Sequence, residues 1–278
     1  MDKKTATNYL KKRMKVLTTI FLMMLFACYP AKSQHKVDSS KIVSVLSFNI
    51  YHGETANEDY DLDVIARVIE NAKPDFVALQ EVDFKTNRAQ KYDLATELAW
   101  RTKLIPLFGR AMKYDGGEYG EGILSKYTFL SSRTIPLPFT PGNEPRTALA
   151  ITTIIASGDT VVFVGTHLDH KDDEKDRIAQ AKEINKVFAS IKYPVILAGD
   201  LNAIPGSTPI NILEQFWSSS YDSQKPKPTY PSENPSKKID YVMYYPQNRW
   251  RVLQTEVIQD SIASDHCAYL VTLELLVE

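Results

Sequence analysis

Short apolar runs that stop on a polar residue recur along this chain. Residues 42–50 read Ile-Val-Ser-Val-Leu-Ser-Phe-Asn-Ile, and Phe76-Val77-Ala78-Leu79 runs into Gln80-Glu81. Val161-Val162-Phe163-Val164-Gly165 leads to Thr166-His167-Leu168-Asp169-His170, and Val195-Ile196-Leu197-Ala198 to Gly199-Asp200-Leu201-Asn202. Runs of this length, rich in Val and Ile and without polar alternation, predict strands buried on both faces. Their side chains are committed to packing, so the polar groups at their ends face a crevice at the sheet edge. Two later strands carry the polar residue at their entrance, Ile239-Asp240-Tyr241 and Ser264-Asp265-His266.

Between the strands the period changes. Leu62, Ile65, Ala66 and Ile69 fall on one helical face, and Lys73-Pro74-Asp75 ends it. A second helix is predicted over 93–102, with Leu94, Leu98 and Trp100 available for packing. The clearest lies over 173–191, where Ile178, Ala181, Ile184, Val187, Phe188 and Ile191 form a stripe and acids crowd the first turn. A short helix is expected over 207–216. Residues 109–122 are glycine-rich and acidic and read as a loop, as does the proline-containing stretch 221–238. Strand–helix–strand order over 42–81 predicts a parallel pair with Asn49 and Glu81 at one edge. Strands outnumber helices and several are consecutive. The fold class expected is therefore α/β (α+β), with two mixed sheets face to face and helices outside.

Composition changes the picture only at the N-terminus. With 44% hydrophobic and 24% charged residues, the chain belongs among ordinary globular proteins. Lys11-Lys12-Arg13-Met14-Lys15 followed by an apolar run to Ala27 has the form of an export signal, too short to span a bilayer. Cleavage after Ser33 in Ala31-Lys32-Ser33 is expected, with lipid attachment at Cys28 as the alternative. The mature chain, residues 34–278, would be one domain with no transmembrane segment, periplasmic or extracellular. It would keep a single cysteine, Cys267, and so no internal disulfide. Losing residues 1–33 removes seven basic residues and one acid, leaving 26 basic against 33 acidic and a formal charge of −7. A non-specific nucleic-acid binder normally shows a basic surplus; this chain does not.

The strand-end residues Asn49, Glu81, His167, Asp200, Asn202, Asp240, Asp265 and His266 each have an ordinary reading as turn or strand-end residues. Together they do not, because every polar interruption falls at the end or entrance of an apolar strand. Oxygen ligands such as Glu81 and Asp265 suit Mg²⁺, with Mn²⁺ as a substitute. No His-Glu-x-x-His helix, Walker loop or Gly-x-Ser-x-Gly elbow is present. Metal, acids, histidines and amides together suit hydrolysis of a phosphate ester.

The ordered series Phe-Asn49-Ile, Leu-Gln80-Glu81-Val, Thr-His167-Leu-Asp, Gly-Asp200-Leu-Asn202-Ala, Ile-Asp240-Tyr and Ser-Asp265-His266 resembles the endonuclease/exonuclease/phosphatase superfamily over about residues 42–275. The resemblance implies a four-layer α/β/β/α sandwich with the site at one edge of its two sheets. It implies Glu81 as the main Mg²⁺ ligand with Asn49 and Asp265 near the metal, and Asp200 as a catalytic acid or base. It further implies Asn202 as a phosphate or water contact, His266 paired with Asp240, and His167 as acid or electrostatic stabiliser. Arg146 is a candidate phosphate clamp. Gly120-Glu121-Gly122 departs from the Gly-Asn-Ala that exported bacterial members often carry, placing an extra carboxylate near an anionic substrate.

The substrate expected is a small-molecule or lipid-headgroup phosphate ester rather than nucleic acid, acted on by a monomer. A nuclease of the same fold is the alternative within the enzyme class. A non-catalytic binding module would show erosion at the metal or His–Asp positions, and none is found.

Overall fold

The computed structural model describes residues 2–26 and 38–277, and the chain divides into two units, residues 1–37 and 38–278. In the first, helix α1 spans Lys3–Phe26. No helix among the described residues is long and apolar enough to cross a membrane. Cys28 and the expected cleavage site after Ser33 lie outside the described residues.

The second unit holds two six-stranded sheets. Strands β1 (Ile42–Asn49), β2 (Phe76–Phe84), β3 (Ile105–Tyr114), β4 (Gly117–Ser125), β11 (Trp250–Ile258) and β12 (Ala268–Leu275) form one, in the order β11-β12-β1-β2-β4-β3. Strands β5 (Phe129–Pro136), β6 (Thr147–Ile154), β7 (Thr160–His167), β8 (Val195–Asp200), β9 (Ser218–Ser219) and β10 (Asp240–Tyr245) form the other, in the order β5-β6-β7-β8-β10-β9. Val43, Phe76, Ile123, Phe163, Ile196 and Val242 pack between the sheets. Helices α2 (Leu62–Ala72) and α3 (Leu94–Thr102) cover the outer face of the first sheet. Helices α4 (Lys175–Phe188) and α5 (Thr208–Leu213) cover the second. This is the four-layer sandwich, because each sheet buries both faces and each amphipathic helix buries one.

Each sheet contains one parallel pair, and the two pairs set the site. β1 and β2 are parallel with Asn49 opposite Gln80, and β7 and β8 are parallel with His167 opposite Asp200. The intervening helices α2 and α4 make the crossovers such pairs require. An antiparallel strand flanks each pair and brings its entrance to the same edge: Asp240 of β10 lies opposite Asp200, and β12 follows Asp265-His266 beside β1. Across the sandwich β1 faces β8, β2 faces β7, β12 faces β10 and β4 faces β6.

Helix α4 adds a second kind of support. Its buried face is partly polar: Asp176 accepts from the Thr140 backbone N–H and hydroxyl and from Asn143 Nδ2, at 2.7–2.9 Å. Gln180 accepts from Asp169 N–H and donates to the Pro138 carbonyl, and Arg177 donates to the Asp169 and Lys171 carbonyls. The acid expected to serve the helix dipole is therefore turned onto a loop. These bonds fix the two loops that carry Arg146 and His170 to the site.

Two expectations are corrected. Residues 109–122 are not a loop but most of the β3–β4 hairpin, turning at Asp115-Gly116, both with positive φ. Glycine there allows close backbone approach, since a β-carbon on Gly120 would sit 2.1 Å from the Gly109 carbonyl oxygen. Trp100 is 70% exposed and packs into no core.

Gly199, just before Asp200, is fixed by the same kind of contact. A β-carbon there would lie 1.9 Å from the Thr166 carbonyl oxygen on β7. Gly199→Ala should lower stability by more than about 3 kcal/mol, beyond the usual cost of overpacking because the obstacle is backbone. A urea titration would check this, and a change under about 1 kcal/mol would refute it.

Candidate active site

The strand ends converge on a cleft of about 730 Å³ at one edge of the sandwich. Glu81, His167, Asp200, Asn202, Asp265, His266 and Arg146 all line it. Asn49 and Asp240 stand directly behind, fully buried. Backbone geometry accompanies three of the side chains that line the cleft: His52, Glu81 and Asn202 have φ of 47°, 58° and 47°. Non-glycine residues in the left-handed region cost on the order of 1–3 kcal/mol each and persist where the surroundings hold them. At Glu81 the cause is a bulge: the β2–β4 register shifts between Leu79 and Val82.

Glu81 Oε1 accepts from Asn49 Nδ2 at 3.1 Å, and the same amide nitrogen lies 3.3 Å from Asp200 Oδ2. Asn49 Oδ1 accepts the Tyr51 N–H. In this orientation Asn49 ties the two acids together through its nitrogen. Burial pushes Glu81 up, but the His52 ring, the Asn49 amide and the charge of His266 outweigh it and bring it down to about 2. Burial raises Asp265, against the pull of His266.

His266 Nδ1 lies 3.1 Å from Asp240 Oδ2, and its Nε2 lies 3.6 Å from Asp200 Oδ2. Burial alone would lower this ring; Asp240 and Asp200 push it up to about 10, so it is an imidazolium between two acids. Burial raises Asp200 to about 7, with the charge of Asp240 adding to it and His266 opposing. Asp200 Oδ1 accepts the Asn202 N–H at 2.9 Å. One atom each of Asp200, Asp240 and His266 lies within 4.8 Å of the others, but as an imidazolium His266 has no lone pair to offer a cation, and the group is an ion-pair cluster.

His167 has the opposite character. Burial and the neighbouring Arg146 hold it well below the ordinary histidine range, so it is neutral. Arg146 Nη1, which can only donate, lies 3.3 Å from His167 Nδ1. Nε2 lies 3.4 Å from Asp200 Oδ2, so the ring stands between a guanidinium and a carboxylate. The Asn202 amide sits 2.9 Å from Nε2 and donates to the Leu168 carbonyl.

Arg146 is 3% exposed, reaches Glu144 and His170 through Nη2 at 3.1 Å, and leaves Nε buried without a partner. Glu121, on β4 facing β6, is 1% exposed and does not line the cleft. Burial pushes its carboxyl well up against the pull of Arg146, so the extra acid expected near the substrate sits behind the arginine in its neutral form.

Strand-end reading did not single out His52, Arg88, Tyr119, Tyr230 or His170. Tyr230 lies on His266 with ring centroids 4.6 Å apart. Arg88, paired to Asp83, is 4.6 and 5.7 Å from the Tyr114 and Tyr119 rings. These residues sit on loops and a hairpin rather than at strand ends; His52 and His170, each three residues past the end of a buried strand, are the two that their closeness to Asn49 and His167 could have marked.

Residues 46–266 match the endonuclease/exonuclease/phosphatase family. The chain belongs to that family. Its members are metal-dependent hydrolases of phosphate esters. Among solved structures, an endonuclease/exonuclease/phosphatase from Beutenbergia cavernae is similar at 23% identity and a TM-score of 0.70, over 84% of this chain and 72% of that one. The human Nocturnin catalytic domain with bound sulfate gives 20% and 0.66, over 86% and 97%. A mannosyl-6-phosphatase from Bacteroides thetaiotaomicron gives 18% and 0.64, over 84% and 100%. At these identities the likeness bears on the fold.

Proposed function

We propose that this protein is an exported, Mg²⁺-dependent hydrolase of small polar phosphate esters, and that residues 34–278 form its one catalytic domain. The observation that carries the reading is the imidazolium of His266 held between Asp240 and Asp200, beside Glu81, in a cleft that also contains Arg146. The donor set fits a hard cation: Glu81 is ionised, Asp265 lines the same cleft, and the Asn49 amide touches Glu81. When bound, such a cation polarises the phosphoryl group and offsets its charge.

The protein's own groups supply the rest. Arg146 offers fixed N–H donors to phosphate oxygens, and the Asn202 amide and the neutral His167 ring stand beside it. Asp200, titrating near neutrality, takes the proton of the attacking water as the new P–O bond forms and returns it to the alcohol oxygen as the ester P–O bond breaks. His266 stays charged and stabilises the negative charge that builds on the transferring group. Asp240 orients its ring.

The size of the cleft suits a small molecule. Tyr114, Tyr230 and Ile204 stand there with Lys171, Lys237 and Arg88, a mixture of flat rings and charged groups that suits a hydroxylated alcohol such as a sugar. The phosphatase from Bacteroides thetaiotaomicron, named for a mannosyl phosphate, is consistent with that class. The test is phosphate release from a panel of sugar phosphates, polyol phosphodiesters and supercoiled plasmid, with Mg²⁺ and with chelator. Cation-dependent hydrolysis of a small ester is expected. Plasmid nicking faster than any small ester would overturn the substrate class, and hydrolysis unaffected by chelator would overturn the chemistry.

A further inference from the structure

We propose that His52 is a nitrogen ligand to the divalent cation held at Glu81, with Glu54 as the acid that orients its ring. This rests on the cation-dependent reading above and adds a ligand from outside the strand ends.

Tyr51, His52 and Gly53 form one left-handed turn after β1, with φ of 46°, 47° and 87°. Gly53 is required there twice over, because a β-carbon would also meet Leu94 Cδ1 at 3.0 Å. The turn brings the ring into the cleft, with a side chain only 12% exposed and the Tyr51 ring 4.5 Å away.

The ring lies between two acids, and its two nitrogens meet them differently. Nε2 is 2.9 Å from Glu54 Oε2, a hydrogen bond to a group that can only accept, so Nε2 carries hydrogen. In a neutral ring Nδ1 then carries the lone pair. It faces Glu81 Oε2 at 3.6 Å, beyond hydrogen-bond length. Two lone-pair atoms face each other stably only with positive charge shared between them, a proton on Nδ1 or a cation. The spacing suits a cation, since donors about 2.1 Å from one ion are about 3.0–3.6 Å apart at angles from 90° to 120°. A carboxylate on the far nitrogen is also how proteins fix the tautomer of a metal-bound histidine.

The consequence is metal preference. Oxygen donors alone suit Mg²⁺, whereas an imidazole nitrogen favours Mn²⁺ and later metals over it. The experiment compares the parent with His52→Ala, His52→Gln and Glu54→Gln by Mg²⁺ and Mn²⁺ calorimetry and by electron spin-echo spectroscopy of the Mn²⁺-loaded proteins. The expected result is a ¹⁴N coupling in the parent that both His52 variants lose and Glu54→Gln keeps. Mn²⁺ affinity should fall about 10- to 100-fold in the His52 variants, more than Mg²⁺ affinity, and about 10-fold in Glu54→Gln. The glutamine variant keeps most of the side-chain volume and carries the comparison if alanine unfolds the turn. A ¹⁴N coupling unchanged in the His52 variants, or unchanged Mn²⁺ affinity, would overturn the assignment and leave His52 a bridge between two acids. A parent that binds neither ion would instead overturn the cation-dependent reading itself.

Discussion

Asp200→Asn should yield a protein that melts higher than the parent near pH 7.5 and turns over at least about 10²-fold more slowly. The two effects share one cause. Asp200 is 1% exposed and stands next to Asp240, so the folded state holds its proton up to about pH 7, against an ordinary value of 3.8. Between those values the folded state binds more protons than the unfolded chain, and stability falls as pH rises through the window. Above about pH 7 the full deficit is present; below about pH 4 it vanishes. Asparagine removes it. The amide oxygen can still accept the Asn202 N–H, while the bond from Asn49 Nδ2 to the other carboxylate oxygen is lost. A net gain of about 1–3 kcal/mol is expected, less than the pKa difference alone would give. Calorimetry from pH 4 to 8 in chelator would show the two melting curves diverging upward with pH. A lower melting temperature for the variant at pH 7.5, or an unchanged kcat, would remove Asp200 from the role of base.

The folding deficit at Asp200 also explains which parts of the site were legible in the sequence. A buried strand that ends on an acid goes against packing, and that cost is visible as a polar residue after an apolar run. Asn49, Glu81, His167 and Asp200 were found this way, and Asp240 and His266 as entrances to antiparallel neighbours. What the pattern could not show was direction. Glu81 reaches the cleft only because a bulge gives it φ of 58°, and no periodicity marks a bulge. The β3–β4 hairpin was hidden for a related reason: the glycines that let its strands approach also erase their alternation, and Glu121 is buried between the sheets rather than exposed. His52 and Tyr230 depend on loops whose course is set by distant contacts, such as Thr229 holding the Ile239 and Asp240 N–H groups. The polar face of α4 is similar, since Asp176 reads as a helix-start acid and acts as the anchor of a loop 36 residues away.

Glu81→Gln should abolish detectable Mg²⁺ binding and lower turnover at least about 10³-fold, because Lewis-acid stabilisation of a phosphoryl group is worth several kcal/mol. Its effect on stability should have the opposite sign to that of Asp200→Asn. The folded state brings Glu81 down to about 2 from 4.5, because the His52 ring, the Asn49 amide and the charge of His266 outweigh burial. The unfolded chain therefore binds more protons between those values, and ionised Glu81 contributes stability that is complete above about pH 4.5 and is lost as pH falls toward 2. Glutamine forfeits that contribution at neutral pH and turns an amide toward the Asn49 nitrogen, so the variant should melt lower than the parent in chelator at pH 7.5 and converge on it in acid. The two carboxylates sit on facing layers of one sandwich and are bridged by a single asparagine amide, Asn49 Nδ2. One is kept charged and ready for a cation; the other is kept close to neutral and ready for a proton. If both variants shifted the melting temperature in the same direction at pH 7.5, the division of labour between Glu81 and Asp200 would be wrong, whichever of them proved essential to turnover.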